Sequence, residues 1–154
     1  SKNLKNPIIA SPDIGGVARA RQYADKLGYD LVIVDKKREK ANESQVMNII
    51  GDVKGKDVIL VDDMVDTAGT LVKAAEVLKE KGATSVMACC THGVLSGPAY
   101  DRVANGVLDE LVISDTIPTK KNAKKITVLT ASTIIGEAIR RIHNNESVNS
   151  IFNN

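Results

Sequence analysis

The stretch that decides the fold reads DVILVDDMVDTAGTLVKAAEVLKEK and covers residues 57–81. It opens with the run 57–61, in which the β-branched and aliphatic residues from Val58 onward are typical of a strand buried on both faces. A helix is predicted over 70–81, because apolar residues recur at i, i+3, i+4 and i+7 from Leu71 onward. Gly82 then provides a stop signal. A strand followed by a loop and a helix is the unit from which α/β proteins are built.

The same alternation extends over the rest of the chain. It predicts an α/β fold with a mostly parallel sheet flanked by helices. The 154 residues correspond to about one domain, so a single domain over 1–154 is expected. The charged stretch 35–43 has no apolar periodicity and is predicted to be mobile. Further strands are predicted at 7–11, 31–34, 85–91, 111–114 and 126–129, and further helices at 17–27, 97–104 and 133–143, the last with Ser132 as its N-cap.

Composition and charge exclude several classes of protein. Lys and Arg number 21 and Asp and Glu 19, and a net charge of +2 gives no electrostatic case for binding nucleic acid or a membrane surface. No apolar run reaches the ~18 residues of a membrane span, and no signal peptide opens the chain. The two cysteines, Cys89 and Cys90, are adjacent and suit no disulfide framework. We therefore expect a cytoplasmic protein that binds neither nucleic acid nor a membrane.

The loop before the helix 70–81 carries residues suited to an anion. Ligands of open parallel sheets bind at the carboxyl ends of the strands, where this loop lies. A loop that leads into a helix presents unpaired N–H groups and the positive end of the helix dipole. Thr67 and Thr70 add hydroxyl donors, and Gly69 permits close approach of the backbone. Residues 66–70 are therefore predicted to form a phosphate cradle.

Asp62 and Asp63 require a different explanation, because two carboxylates would repel a phosphate placed against them. They could accept hydrogen bonds from vicinal hydroxyls or hold a divalent cation. Carboxylates that bind a diol, one loop away from a phosphate cradle, describe a site for a sugar phosphate such as ribose 5-phosphate. The alternative is that these residues and Asp66 are only cap and turn residues. Neither a Walker A loop nor a glycine-rich dinucleotide motif is present in the sequence.

The string VDDMVDTAGT at 61–70 resembles the phosphoribosyl-diphosphate-binding motif of the type I phosphoribosyltransferase fold. The strings around it are similar, in order and spacing, to the carboxyl-terminal half of the ribose-phosphate pyrophosphokinase family. The resemblance covers nearly the whole chain and implies a type I phosphoribosyltransferase-like fold. The similar strings are SPDIGG at 11–16, KKREKANE at 36–43, NIIGDV at 48–53, THGVLSGPA at 91–99, DTIP at 115–118 and EAIRRIHNNESVNSIF at 137–152.

The family transfers the diphosphoryl group of Mg-ATP to the 1-hydroxyl of ribose 5-phosphate, giving phosphoribosyl diphosphate and AMP. The resemblance implies that Asp62 and Asp63 hold the 2- and 3-hydroxyls of the ribose, and that Asp13 helps to bind Mg²⁺. Lys36 and Arg38 match the basic positions of the family's catalytic loop, where fixed cations stabilise the charge of the transferring group. The positions implied to bind the 5-phosphate, largely through backbone N–H groups, are Asp66, Thr67, Ala68, Gly69 and Thr70.

The resemblance also implies partners. Family enzymes are about twice as long as this chain and form homo-oligomers built from dimers, with a hexamer expected for the full-length enzyme. The other half and a neighbouring subunit supply the adenine site, so we expect this chain alone to bind ribose 5-phosphate better than it turns over ATP. Ser147 and Phe152 match the family's carboxyl-terminal segment near its allosteric site for ADP or phosphate. A plain docking tail is the alternative for that segment.

Three other functions remain open at this point. A phosphoribosyltransferase could use the same loop to consume phosphoribosyl diphosphate, although it would need a hood that the sequence does not visibly supply. A non-catalytic regulatory subunit associated with the synthetase is the second alternative. Intact Lys36, Arg38, Asp62 and Asp63 argue against it. A plain α/β interaction domain, the third, leaves the acidic and threonine-containing loop unexplained.

Overall fold

The computed structural model describes residues 4–37, 46–120 and 123–151. Arg38 and Phe152 lie outside these ranges. Within them, no helix combines the length and the apolar character needed to cross a bilayer. The elements are β1 (Pro7–Ser11), α1 (Val17–Leu27), β2 (Leu31–Lys37), β3 (Val46–Ile50), β4 (Asp57–Val65), α2 (Gly69–Glu80), β5 (Ser85–Gly93), α3 (Ala99–Asn105), β6 (Glu110–Ser114), β7 (Ile126–Leu129), α4 (Ser132–His143) and a 3₁₀ turn (Asn149–Ile151).

The described strands form one seven-stranded sheet in the order β3-β2-β1-β4-β5-β6-β7. Every neighbouring pair is parallel except β2 and β3, which confirms the predicted mostly parallel α/β sheet. The strand order reverses between β1 and β4, so the chain leaves these two strands in opposite directions. Right-handed crossovers then place α1 and α2 on opposite faces of the sheet. The crevice at such a switch point is where open α/β sheets bind their ligands.

The core has one cluster on each face of the sheet. The larger cluster packs β-strand residues such as Val58 and Leu60 against Leu78 of α2. The smaller one packs Val61 against Ala20 of α1. Because β4 is buried on both faces, its first half is apolar without alternation, as the sequence predicted.

The strand boundaries that bear on the site differ from the prediction. β4 continues to Val65, so Asp62 and Asp63 are strand residues rather than loop residues. β2 continues to Lys37, because the antiparallel strand β3 pairs with it. β3 was not predicted, because apolar and polar residues do not alternate in its sequence VMNII and the apolar Ile50 is 58% exposed. Residues 35–37 thus belong to a strand, and the rest of the stretch 35–43 lies outside the described residues.

The start of α4 also differs from the prediction, since the helix begins at Ser132 and Ala131 is its N-cap. Side chains outside the helix bind its first N–H groups. Asp115 Oδ1 accepts a hydrogen bond from the Ala131 N–H at 2.8 Å, and Thr130 Oγ1 accepts one from the Ser132 N–H at 3.2 Å. The Ala131 N–H is also the main reason why the pKa of Asp115 lies below its usual value. The prediction of Ser132 as N-cap was wrong because the preceding turn already supplies acceptors.

Gly51, which follows β3, is predicted to be essential for packing this edge of the sheet. Its φ is 118°, and a Cβ added there would lie 2.5 Å from Val32 Cγ1. Val32 is 1% exposed and has no space into which to move. We therefore expect Gly51→Ala to lower the free energy of unfolding by ~2 kcal/mol in urea denaturation.

Gly136→Ala is the matched control, because a Cβ on this α4 residue would meet open space. It should leave stability unchanged or raise it by up to ~1 kcal/mol. Equal unfolding midpoints for Gly51→Ala and the unmodified chain would contradict the observed position of Gly51 against β2.

Candidate functional site

A cavity of about 190 Å³ lies at the switch point between β1 and β4. The turn after β1 contributes one residue, and the end of β4 with the start of α2 contributes the others. The cavity brings together Asp13, Asp62 and the whole of the predicted cradle 66–70. Its lining consists of Asp13, Asp62, Met64, Val65, Asp66, Thr67, Ala68, Gly69, Thr70 and Leu71.

The turn after β1 is fixed by hydrogen bonds of its own residues. The buried Ser11 donates through Oγ to the Asp13 carbonyl at 2.6 Å. Asp13 Oδ1 in turn accepts a hydrogen bond from the Gly16 N–H at 2.9 Å. A Cβ at Gly16 would lie 2.9 Å from Ser11 Oγ, so the turn is too tight for a larger residue there. The sequence SPDIGG thus holds the half-buried Asp13 at the edge of the cavity.

The loop between β4 and α2 is anchored by the segment after β5. The N–H of Leu95 donates to the Val65 carbonyl and that of Ser96 to the Asp66 carbonyl, both at 3.1 Å. Ser96 Oγ also donates to Asp66 Oδ1. Ala68, only 4% exposed, precedes α2 in the left-handed conformation with φ 59°. This loop brings the first turn of α2, with its outward N–H groups and positive dipole end, to the cavity.

A cation stands beside the predicted cradle. Arg102, from α3, donates through Nη1 to the Thr67 carbonyl at 2.9 Å. The same nitrogen lies 3.2 Å from the position that a Cβ on Gly69 would take. Neither Arg102 nor Ser96 was predicted as a site residue. Ser96 lies in the string THGVLSGPA, which carried part of the resemblance, whereas no local pattern distinguished Arg102.

Asp62 and Asp63 are held by one arginine. Arg19, in the first turn of α1, places Nη1 2.8 Å from Asp62 Oδ1 and Nη2 2.7 Å from Asp63 Oδ2. Burial raises the pKa of Asp62, whereas the N–H of Asp63 and the charge of Arg19 lower it. The Asp63 side chain is 51% exposed and lies outside the cavity lining. Arg19 was not predicted as a site residue, since a single arginine on a helix gives no signal by itself.

The donor set fits a magnesium ion that arrives with its substrate. In the described part of the chain, no three His, Cys, Asp or Glu side chains come together to hold a metal. Mg²⁺ is usually bound through one or two carboxylates plus substrate phosphates and water. The half-buried carboxylate of Asp13, at the cavity edge, meets that requirement as one protein ligand.

The other predicted site residues lie elsewhere or cannot be placed. Lys36 belongs to β2, where its backbone pairs with Met47, whereas Arg38 and Phe152 lie outside the described residues. Ser147 follows α4 and is no part of the described lining of the cavity. Its carbonyl accepts a hydrogen bond from Arg141 Nη1 at 3.0 Å.

A second and larger cavity, of about 440 Å³, shares Asp62 with the first. It is lined mainly by apolar residues such as Val112, Leu129 and Ile134. Cys89 and Cys90 also line it, and neither forms a disulfide. Burial is the main cause that raises the pKa of Cys90 to about 12, so this thiol stays protonated and unreactive at neutral pH.

Comparison with known proteins decides the family. A family model described as the phosphoribosyl synthetase-associated domain matches residues 36–153. The chain belongs to this family. A family relative from Campylobacter jejuni, named ribose-phosphate pyrophosphokinase, is 70% identical over 152 residues. A protein of the same name from Wolinella succinogenes is also 70% identical over 152 residues. Each alignment covers 99% of this chain and 49% of the relative.

Solved structures confirm the fold. The phosphoribosylpyrophosphate synthetase from Mycobacterium smegmatis superposes with a TM-score of 0.83 at 37% identity, over 92% of this chain and 46% of that one. Orotate phosphoribosyltransferase from Aeropyrum pernix, 23% identical over 88% of this chain and 66% of that one, has a TM-score of 0.55 and shows the fold alone. The predicted type I phosphoribosyltransferase-like fold and the resemblance to the synthetases are thus confirmed. The chain spans about half the length of the curated relatives it matches.

Proposed function

We propose that this chain forms the ribose 5-phosphate-binding part of a ribose-phosphate pyrophosphokinase. The enzyme would transfer the diphosphoryl group of ATP to the 1-hydroxyl of ribose 5-phosphate and release phosphoribosyl diphosphate and AMP. The observation that carries the proposal is the cavity at the switch point, where Asp13, Asp62 and the loop 66–70 share one lining. The 5-phosphate would bind at the loop, and the ribose hydroxyls at Asp62 and Asp63.

The surroundings of the loop favour a phosphate in spite of the nearby carboxylates. Backbone N–H groups at the start of α2 and the positive end of its dipole attract an anion. The guanidinium of Arg102 lies behind the loop and adds positive charge. Arg19 offsets the charge of Asp62 and Asp63, the two acids predicted to contact the sugar rather than the phosphate.

The sheet supports the proposed catalytic role of Lys36, and Arg38 follows it two positions later in the sequence. β1 and β2 are parallel, and Ser11 pairs with Ile33. Residues 34–37 of β2 therefore continue beyond Ile33 towards the sheet edge at which Asp13 lies. Fixed cations there would stabilise the charge that spreads over the transferring diphosphoryl group. Mg²⁺, with Asp13 as one ligand, would neutralise phosphate charge when it is bound with ATP.

We also propose that the chain is one domain of a cytoplasmic homo-oligomer built from dimers, with a hexamer as the full-length form. The single seven-stranded sheet supports one domain. Four isoleucines of α4 are between 51% and 66% exposed, which supports a further packing partner for this helix. Ser147 and Phe152 remain the proposed contacts of an allosteric ADP or phosphate site. The four isoleucines are Ile134, Ile135, Ile139 and Ile142.

Asp66→Ala should weaken ribose 5-phosphate binding by about tenfold, because the loop loses its side-chain anchor to Ser96. Calorimetric titration of the variant measures this change. Asp66→Asn keeps an acceptor at the same place and is expected to lose less than about threefold. Equal affinity of Asp66→Ala and the unmodified chain would show that the anchor does not shape the site.

Product analysis of a chimera tests the proposed reaction. In this chimera, our chain replaces the matching 152 residues of the Campylobacter jejuni relative. With Mg-ATP and ribose 5-phosphate, we expect AMP and phosphoribosyl diphosphate in equal amounts, and no AMP when ribose 5-phosphate is omitted. Release of pyrophosphate from phosphoribosyl diphosphate with a nucleobase would instead indicate a phosphoribosyltransferase. A folded chimera without either activity, beside an active parent, would indicate a regulatory subunit.

A further inference from the structure

We propose that Arg19 is a positioning residue of the ribose site. Its guanidinium fixes the orientation of Asp62 and Asp63 and offsets their charge, so that the two carboxylates can accept hydrogen bonds from the hydroxyls of a sugar phosphate. This inference rests on the proposed function, because that function assigns Asp62 and Asp63 to the ribose hydroxyls.

The geometry of the contact is that of a clamp. One nitrogen of the guanidinium binds each carboxylate, Nη1 to Asp62 Oδ1 at 2.8 Å and Nη2 to Asp63 Oδ2 at 2.7 Å. A planar guanidinium holds two acceptors in a fixed relation, which an ammonium group cannot do. Adjacent residues of a strand point to opposite faces, so the contact with Arg19 draws together two carboxylates that the strand alone would direct apart.

The base of the clamp is rigid. Ala20, next to Arg19, is fully buried against the sheet together with Ala24, so α1 cannot shift easily. The helix starts at the turn in which Asp13 Oδ1 accepts the Gly16 N–H. The same turn therefore positions Asp13 at the cavity and Arg19 at the acidic pair.

Arg19 also offsets negative charge at the site. Asp13, Asp62 and Asp66 line the cavity, and Asp63 adjoins it. Four carboxylates around a site for an anionic ligand would repel the ligand, and adjacent carboxylates would also favour protonation of each other. Arg19 contacts the two of them that are predicted to face the sugar. A surface ion pair with only a structural role contributes little to stability and distinguishes no ligands.

The test compares three ligands in calorimetric titrations of the 154-residue chain: ribose 5-phosphate, 2-deoxyribose 5-phosphate and inorganic phosphate. The unmodified chain should prefer ribose 5-phosphate over its deoxy analogue. Arg19→Gln should bind ribose 5-phosphate about tenfold more weakly, because Asp62 and Asp63 would no longer be held in position for the ribose hydroxyls. Its preference for ribose 5-phosphate over the deoxy analogue should also become smaller. Its affinity for inorganic phosphate should fall less than about threefold at physiological salt, because screening weakens the more distant charge.

Two further variants complete the design. Arg19→Lys keeps the charge and loses the fork, so it should recover part of the affinity. Arg21→Gln removes an exposed arginine from the same helix and should behave like the unmodified chain. Thermal unfolding checks that each variant is folded. If Arg19→Gln does not fold, the ligand affinities of Arg19→Lys test the proposed role of Arg19 instead.

Other results would overturn the inference. One is an unchanged affinity of a folded Arg19→Gln variant for ribose 5-phosphate. Another is an equal loss of affinity for all three ligands, because that would indicate a general effect of charge. If the unmodified chain binds none of the three ligands, the proposed function itself is wrong and the role of Arg19 is wrong with it. Binding by the unmodified chain therefore shows whether the proposed function fails or only the proposed role of Arg19.

Discussion

Arg38→Ala in the chimera is expected to lower kcat by about 10³-fold, because a fixed cation that stabilises charge in the transition state is lost. The affinity for ribose 5-phosphate should change by less than about threefold, since the cradle and the acidic pair remain intact. Lys36→Ala should show the same separation of kcat from binding. Steady-state assays of AMP formation, combined with calorimetry, measure both quantities.

Lys37→Ala is the matched control for this pair of variants. It lies between the two positions, and the resemblance assigns it no role. Its kcat should stay close to that of the unmodified chimera. If Lys36→Ala and Arg38→Ala reduce kcat and ribose 5-phosphate affinity by the same factor, these residues only hold substrate and the catalytic assignment is wrong.

Ala68→Val is expected to weaken ribose 5-phosphate binding by about 100-fold. Ala68 is almost fully buried and has φ 59°, a conformation in which a β-branched side chain is strained. Relief of that strain would shift the loop that sets the first turn of α2, and with it the N–H groups of the cradle. Inorganic phosphate should lose affinity in parallel, because the change acts on the phosphate side of the site.

Ala68→Gly provides the control, since glycine adopts this conformation without a steric cost. Its affinity for ribose 5-phosphate should be no more than about threefold below that of the unmodified chain. Similar affinities for Ala68→Val and Ala68→Gly would show that the conformation of residue 68 does not shape the phosphate cradle.

The sequence predicted those parts of the molecule that depend on local pattern. Residues 57–81 indicated a buried strand, a loop and a helix, and the structure shows β4 and α2 at nearly these bounds. The cradle 66–70 could be recognised because its threonines and glycine lie where the predicted helix begins, and Gly69 and Thr70 are the first two residues of α2. The alternation of strands and helices was enough to predict a mostly parallel sheet.

What could not be predicted depends on contacts between distant parts of the chain. β3 forms by pairing with β2, and its own five residues carry no clear period. Arg19 lies 43 and 44 positions before the two carboxylates that it binds. Arg102 is 35 positions from the carbonyl to which it donates. These partners follow from the strand order, which no local pattern specifies.

The central claim is that the cavity between β1 and β4 binds ribose 5-phosphate. Calorimetric titration of the chain with ribose 5-phosphate in the presence of Mg²⁺ tests it most directly. We predict saturable binding of one ligand per chain, which Ala68→Gly retains and Ala68→Val loses. No binding by the folded, unmodified chain, or binding that Ala68→Val leaves intact, would contradict the claim.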